Sequence, residues 1–148
     1  YNVPVYMSKE EIDYYKFRCA NLHSFRDEET ITVGTKKIRC LVTPGHTKGG
    51  TCYLVEKHAF TGDTLFIEGC GMCKIPGGSA SEMFYSVQRL KKEFTDETLI
   101  YPGHRYGDMP GQTMEYVKEH NIYLVMNDKE RFIDFRNRKR IKGLFSFK

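Results

Sequence analysis

Tryptophan is absent from this 148-residue chain, and its five cysteines follow no regular spacing. An odd cysteine count without a framework argues against a disulfide scaffold and suits a reducing, cytoplasmic setting. No apolar run approaches the roughly twenty residues that a membrane-spanning helix needs, so no membrane association is expected. Nothing at the start resembles a signal peptide, and a leader removed upstream would leave no trace here. Internal repeats, low-complexity tracts and linkers are also missing, so one domain over residues 1–148 with a moderate core is expected. No base-stacking or groove-reading motif accompanies the basic residues, which argues against nucleic acid as a partner.

What is present describes an ordinary globular protein: 40% hydrophobic residues, 28% charged, ten Phe and ten Tyr. The net charge of +4 is uneven. Basic residues dominate 131–148, most densely in RNRKRIK at 136–142. The plain reading is a solvated helix face or a tail. The sharper one is a docking patch for an acidic partner such as a carrier protein.

Along the chain, a strand is expected over 3–7. A helix then opens at Ser8, where Glu11 completes a capping box, and runs to about Ala20, loosely burying Ile12, Tyr15, Phe17 and Cys19. Residues 30–33 and 37–42 alternate around Gly34 as a hairpin, and 51–56 with 59–61 form a second pair. A Gly- and Cys-rich loop over 68–78 leads to a helix capped by Ser79 and Glu82, with Met83, Val87, Leu90 and Phe94 on its apolar face. A strand over 98–101, a helix from Pro110 to about His120 and a helix over 128–139 complete the reading, with 143–148 a loose end.

Three stretches carry chemistry. In TPGHTKGGTCYL an extended run ends in Pro-Gly and presents His46; FTGDTLF puts Asp63 just past another strand; IYPGHRYGD puts His104 just past a third. Imidazole and carboxylate at three strand ends suit a borderline divalent metal. Taken singly, each has a plainer reading: Asp63 in an Asx turn, His104 in a Pro-Gly turn, His46 as a satisfied histidine. Their order and shared context favour metal.

In that order the three stretches resemble the second half of the metallo-β-lactamase fold, in its glyoxalase II-like branch, over about residues 3–124. The resemblance implies an α/β (α+β) chain forming the C-terminal part of a four-layer αββα architecture, a mixed sheet with flanking helices. It implies that His46 is a ligand of a first metal, that Asp63 bridges both metals and is the catalytic carboxylate, and that His104 serves the second. The implied cofactor is zinc, two per complete site. The family's HxHxDH loop, which supplies the other ligands, is nowhere in these residues. The chain is therefore expected to be a C-terminal fragment, with zinc partial or absent and activity lost in the fragment alone. The implied reaction is hydrolysis by a metal-bridged hydroxide, with Thr47, Thr51 and Thr64 as hydroxyls that could steady the ligands.

Substrate residues follow the same resemblance. Tyr106 matches a family tyrosine that contacts the thiol carrier, Met72 stands where a basic residue holds the glutathione carboxylate, and Lys74 could replace that charge. The stretch GDTLFIEGCGMCKIPGGSASEMFYSVQRLKKEF is similar to the zinc hydrolases of bacillus polyketide clusters of the bacillaene type. This implies an acyl-carrier-protein thioester, or another thiol-linked acyl group, as substrate. The alternatives are a hydroxyacylglutathione hydrolase-like enzyme and a mono-iron persulfide dioxygenase. Cys70 and Cys73 could form a dithiol site, but the helix begins several residues later, so ordinary loop cysteines are expected. From another class comes a catalytically incomplete half-domain that binds a carrier or serves as structure. Such a half would leave one sheet face uncovered, and self-association through that face is expected.

Overall fold

The computed structural model describes residues 2–138. Residues 139–148, which hold the end of the expected last helix, most of the basic run and the expected loose end, lie outside the described residues. Two parallel strands, β1 (Val5–Ser8) and β2 (Leu22–Phe25), flank α1 (Lys9–Tyr15). The main sheet follows: β3 (Thr30–Val33), β4 (Lys36–Val42), β5 (Thr51–Val55), β6 (His58–Gly62), β7 (Leu99–Pro102) and β8 (Gln112–Thr113), neighbours in that order. Between β6 and β7 runs α2 (Ala80–Glu93), and α3 (Met114–His120), α4 (Ile122–Val125) and α5 (Lys129–Asn137) close the described chain. It is the expected mixed α/β arrangement. No described helix is long and apolar enough to cross a membrane.

Sheet direction positions the three candidate ligands. β4 and β5 are antiparallel, β5 and β6 are antiparallel, and β6 and β7 are parallel. The C-terminal ends of β4, β6 and β7 therefore emerge at one edge of the sheet. His46, Asp63 and His104 follow those three ends.

Alternation sorts the sheet into two faces. Leu41 faces Cys52, and Ala59 faces both Leu54 and Ile100 across the ladders. These side chains meet Met83, Val87 and Leu90 of α2, Val117 of α3, Leu124 of α4 and Phe132 of α5 in one buried cluster. On the opposite face Ile31, Ile38, Tyr53, Val55 and Phe60, with Tyr6, outline a shallow apolar depression. Phe60 stacks on Tyr101 there at 5.5 Å and remains 47% exposed.

Several expected boundaries shift. α1 stops at Tyr15, because Lys16 turns left-handed at φ 55°, so the helix does not reach Ala20. Only Ile12 of its expected apolar face is buried; Tyr15, Phe17 and Cys19 are exposed, and the Tyr15 hydroxyl donates to Pro76 O at 2.5 Å. The strand over Leu22–Phe25 was not expected. α3 starts at Met114, four residues after Pro110, because Thr113 caps it by accepting from Tyr116 N. Both capping boxes are half made. Ser8 and Ser79 accept the expected amides, but the carboxylate of Glu11 accepts from Gly49 N and that of Glu82 pairs with Lys48.

Candidate metal centre

Two glycines packed against the candidate ligands leave no room for a side chain. At Gly103 a Cβ would lie 2.7 Å from Asp63 Oδ1; at Gly71 it would overlap the Asp63 carbonyl oxygen and come within 3.0 Å of His46 Nδ1. The loops thus approach one another backbone to side chain. The Gly103 amide also donates to Gly62 O at 2.8 Å, which ties the end of β7 to the end of β6.

The three side chains converge on one atom. His46 Nε2 lies 3.4 Å and His104 Nε2 3.3 Å from Asp63 Oδ2. Both separations exceed the usual 2.7–3.2 Å range of an N–H···O hydrogen bond. They match the roughly 3.3 Å edge between two donors held about 2.0–2.1 Å from a tetrahedral zinc. The tautomer of His46 agrees. Its Nδ1 is 2.7 Å from Met72 O, and because a carbonyl only accepts, Nδ1 carries the proton. In the neutral ring Nε2 is then bare, and its lone pair faces a carboxylate oxygen. Two acceptors so placed repel unless a cation lies between them, so the donor set suits one.

The donors lie in a cleft of about 310 Å³ whose walls include Phe66, Met72, Tyr106, Tyr123 and Arg136. Phe66 and Tyr106 pack at 4.8 Å, and His104 meets both rings edge-on or tilted at 6.3 and 6.0 Å. The three donors are unequally exposed, His46 at 22%, Asp63 at 25% and His104 at 61% of the side chain. Among the described residues no group of three or more His, Cys, Asp or Glu side chains is placed to hold a metal ion.

Expected substrate residues divide. Met72 and Tyr106 line the cleft. Lys74 does not line it; its ammonium donates to Asn137 O at 2.6 Å. The cation in the wall is Arg136, which lay within the basic run and carried no local sign of a site. Two of the three expected hydroxyls serve elsewhere: Thr51 donates to Gly49 O, and Thr64 bonds to Thr43. The group that steadies His46 is the Met72 carbonyl. Asn121, fully buried, was missed as well; its amide donates to Phe66 O at 3.0 Å and Gly69 O at 2.9 Å, holding the loop that carries Met72. Cys70 and Cys73 are buried, and burial pushes both thiols up despite the opposing charge of Arg136. Neither is poised as a thiolate.

A crystal structure of a metallo-beta-lactamase from Staphylococcus aureus superposes with a TM-score of 0.85 and 28% identity, covering 94% of this chain and 46% of that one. The chain has the metallo-β-lactamase fold. Among curated proteins it is similar to the probable polyketide biosynthesis zinc-dependent hydrolase PksB of Bacillus subtilis, 53% identical over all 148 residues. It is also 51% identical over the same length to the corresponding probable hydrolase BaeB of Bacillus velezensis. The chain spans 66% of the length of each relative, just under two thirds. No family model matches it. In this metallo-β-lactamase fold the gathered donors stand at the edge where β4, β6 and β7 end.

Proposed function

We propose that His46, Asp63 and His104 are this chain's share of a zinc centre in a hydrolase that cleaves acyl thioesters carried on an acyl carrier protein during polyketide biosynthesis. The convergence of both Nε2 atoms on Asp63 Oδ2 at tetrahedral-edge spacing carries the reading. The names of the two bacillus relatives support zinc, hydrolysis and polyketide context.

The residues fit the group, so His46 would hold one zinc, His104 the other, and Asp63 both. Zinc bound there supplies Lewis acidity and acidifies water to near neutrality. The chain's own residues do the rest. Met72 O fixes the His46 ring so that Nε2 faces inward. The Asp63 carboxylate accepts a hydrogen bond from the attacking water and sets its direction. Phe66 and Tyr106 give an apolar wall on which an acyl chain can lie, and Tyr106, 52% exposed at the mouth, is placed to meet the thiol arm. Arg105, exposed between His104 and Tyr106 in the chain, suits an acidic carrier.

One observation favours a second reading. Among the described residues no group of three or more His, Cys, Asp or Glu is placed to hold a metal ion, which fits a chain that binds a carrier without hydrolysing its thioester. Elemental analysis and assay with an acyl-carrier thioester separate the two, using this chain and a form lengthened upstream by an HxHxDH segment. Two zincs and hydrolysis in the longer form establish the hydrolase. Carrier binding with neither zinc nor hydrolysis in either form establishes the second reading.

A further inference from the structure

The last described helix reaches the candidate ligands through a short relay. Phe132 of α5 is fully buried between the rings of Phe84, at 5.4 Å, and Tyr123, at 5.2 Å, which fixes the helix against α2 and α4. Held in that register, Arg136 donates from Nε to Gly71 O at 2.8 Å and lies 3.4 Å through a terminal nitrogen from Tyr123 Oη. Gly71 touches the Asp63 backbone and the His46 ring, as its forbidden Cβ shows. The next carbonyl, Met72 O, accepts the hydrogen bond that His46 Nδ1–H donates.

We propose that Arg136 is a positioning residue for His46. By pinning the Gly71 carbonyl it aims the following Met72 carbonyl, which selects the His46 tautomer with Nε2 bare and directed at Asp63. A carbonyl three bonds along the chain from a fixed one has little freedom when Gly71 is wedged against Asp63. Releasing the guanidinium lets the 71–72 peptide rotate, and the ring then samples both tautomers. The inference rests on the zinc reading for its functional meaning, but the relay itself is a property of the chain without metal.

The test uses the full chain with three substitutions. Arg136→Met removes the donor, Arg136→Lys keeps a cation and a donor, and Arg138→Met removes the same charge from a neighbour that lies over the Phe135 ring at 3.7 Å. Nitrogen-15 spectra of the His46 ring, taken without metal at about pH 8.5 where an ordinary imidazole is neutral, report which nitrogen is protonated. Zinc affinity is measured separately by competition with a chelating dye. Arg136→Met is expected to turn a single Nδ1-protonated species into a mixture and to weaken zinc about tenfold, in the range seen when a ligand's supporting partner is lost. Arg136→Lys should recover most of the native spectrum, and Arg138→Met all of it. An unchanged His46 spectrum in Arg136→Met overturns the proposal, whatever zinc does. If Arg136→Met fails to fold by circular dichroism, the comparison passes to Arg136→Gln, whose shorter amide cannot span the same distance, with the same criterion. A native spectrum that depends on Arg136, in a protein that takes up no zinc even with the HxHxDH segment supplied, would sink the metal reading and leave the relay standing.

Discussion

Replacing Asn121 by Ala tests what holds the cleft loop in place. The residue is fully buried and makes three hydrogen bonds: its amide donates to Phe66 O and Gly69 O, and its oxygen accepts from Tyr123 N at 3.0 Å to cap α4. Each such bond is worth about 1 kcal/mol net; Phe66 O would be left buried without its donor, while Gly69 O keeps the Phe66 amide at 2.9 Å. The expected loss is about 3 kcal/mol, which for a domain of this size lowers Tm by about 10 °C. Urea unfolding followed by circular dichroism measures it, with an unchanged slope showing that only stability has moved. Asn121→Asp sharpens the reasoning, since it keeps the shape and the cap but points an acceptor at two carbonyl oxygens. The introduced carboxyl should have a folded pKa raised above its unfolded value of about 3.9. A raised folded pKa means that the folded state holds the proton longer, so stability falls as pH rises from about 4 through that pKa, by up to about 1.4 kcal/mol per unit. A loss below about 1 kcal/mol in Asn121→Ala, together with a flat pH profile in Asn121→Asp, would refute the claim that this side chain holds the loop.

Gly71→Ala forces a methyl group onto the Asp63 carbonyl and against His46; the expected outcome is a folded chain whose zinc affinity is at least about tenfold weaker, read by dye competition. Of the five free thiols only Cys19 is exposed, so a thiol-reactive dye should label one thiol at once in the native chain and all five in denaturant. Burial pushes the Cys52 thiol up from 9.0 to about 11, with the Thr43 and Thr64 hydroxyls acting in the opposite direction. Its contribution is therefore whole below about pH 9 and is lost as pH rises towards about 11, a decline of about 2 kcal/mol that Cys52→Ala should flatten in alkaline unfolding curves. Arg89 bridges Asp27 and Glu28 at the turn before β3 and lies partly exposed at 25%. Arg89→Met should cost only about 1 kcal/mol in dilute buffer, and less in high salt, where screening weakens the native pairs.

The candidate ligands were legible because each is announced locally. An alternating run ending in Gly and then a single His or Asp is a signal within seven residues, and the hairpins that carry β3 to β6 follow from alternation alone. The convergence of the three was legible only through the family resemblance. The second hairpin makes β5 antiparallel to β6, but nothing in the sequence pattern says that β5 also runs antiparallel to β4, and both pairings together bring His46 and Asp63 to the same edge. Element ends failed where tertiary partners intervened. Glu11 has the right spacing to complete a capping box with Ser8, but the Gly49 amide competes for its carboxylate. Pro110 has the right chemistry for a first helical turn, but the β8 pairing of Gln112 with Ile100 holds the chain extended until Thr113 caps the helix.

Arg136 and Asn121 were illegible for a different reason. Each acts on a backbone carbonyl more than fifty residues away, and a carbonyl is the one acceptor that every residue carries. No residue type at position 71 or 69 could therefore advertise the bond. A basic run containing Arg136 reads by charge as a surface, and by charge alone that reading is sound. What assigns the residue inward is the phase of α5, set by Phe132 packing between Phe84 and Tyr123. Shifting that phase by one residue would carry the guanidinium about 100° around the helix and away from Gly71. An aromatic residue with no role in the cleft thus decides which cation faces it. Phe132→Leu, which keeps the burial but loses the two edge-on ring contacts, should cost about 1 to 2 kcal/mol of stability. It should also reproduce, in weaker form, the mixed His46 ring spectrum expected of Arg136→Met. If Phe132→Leu lowers stability by that amount and leaves the ring spectrum native, the phase of α5 is held by other contacts, and Phe132 contributes to the core alone.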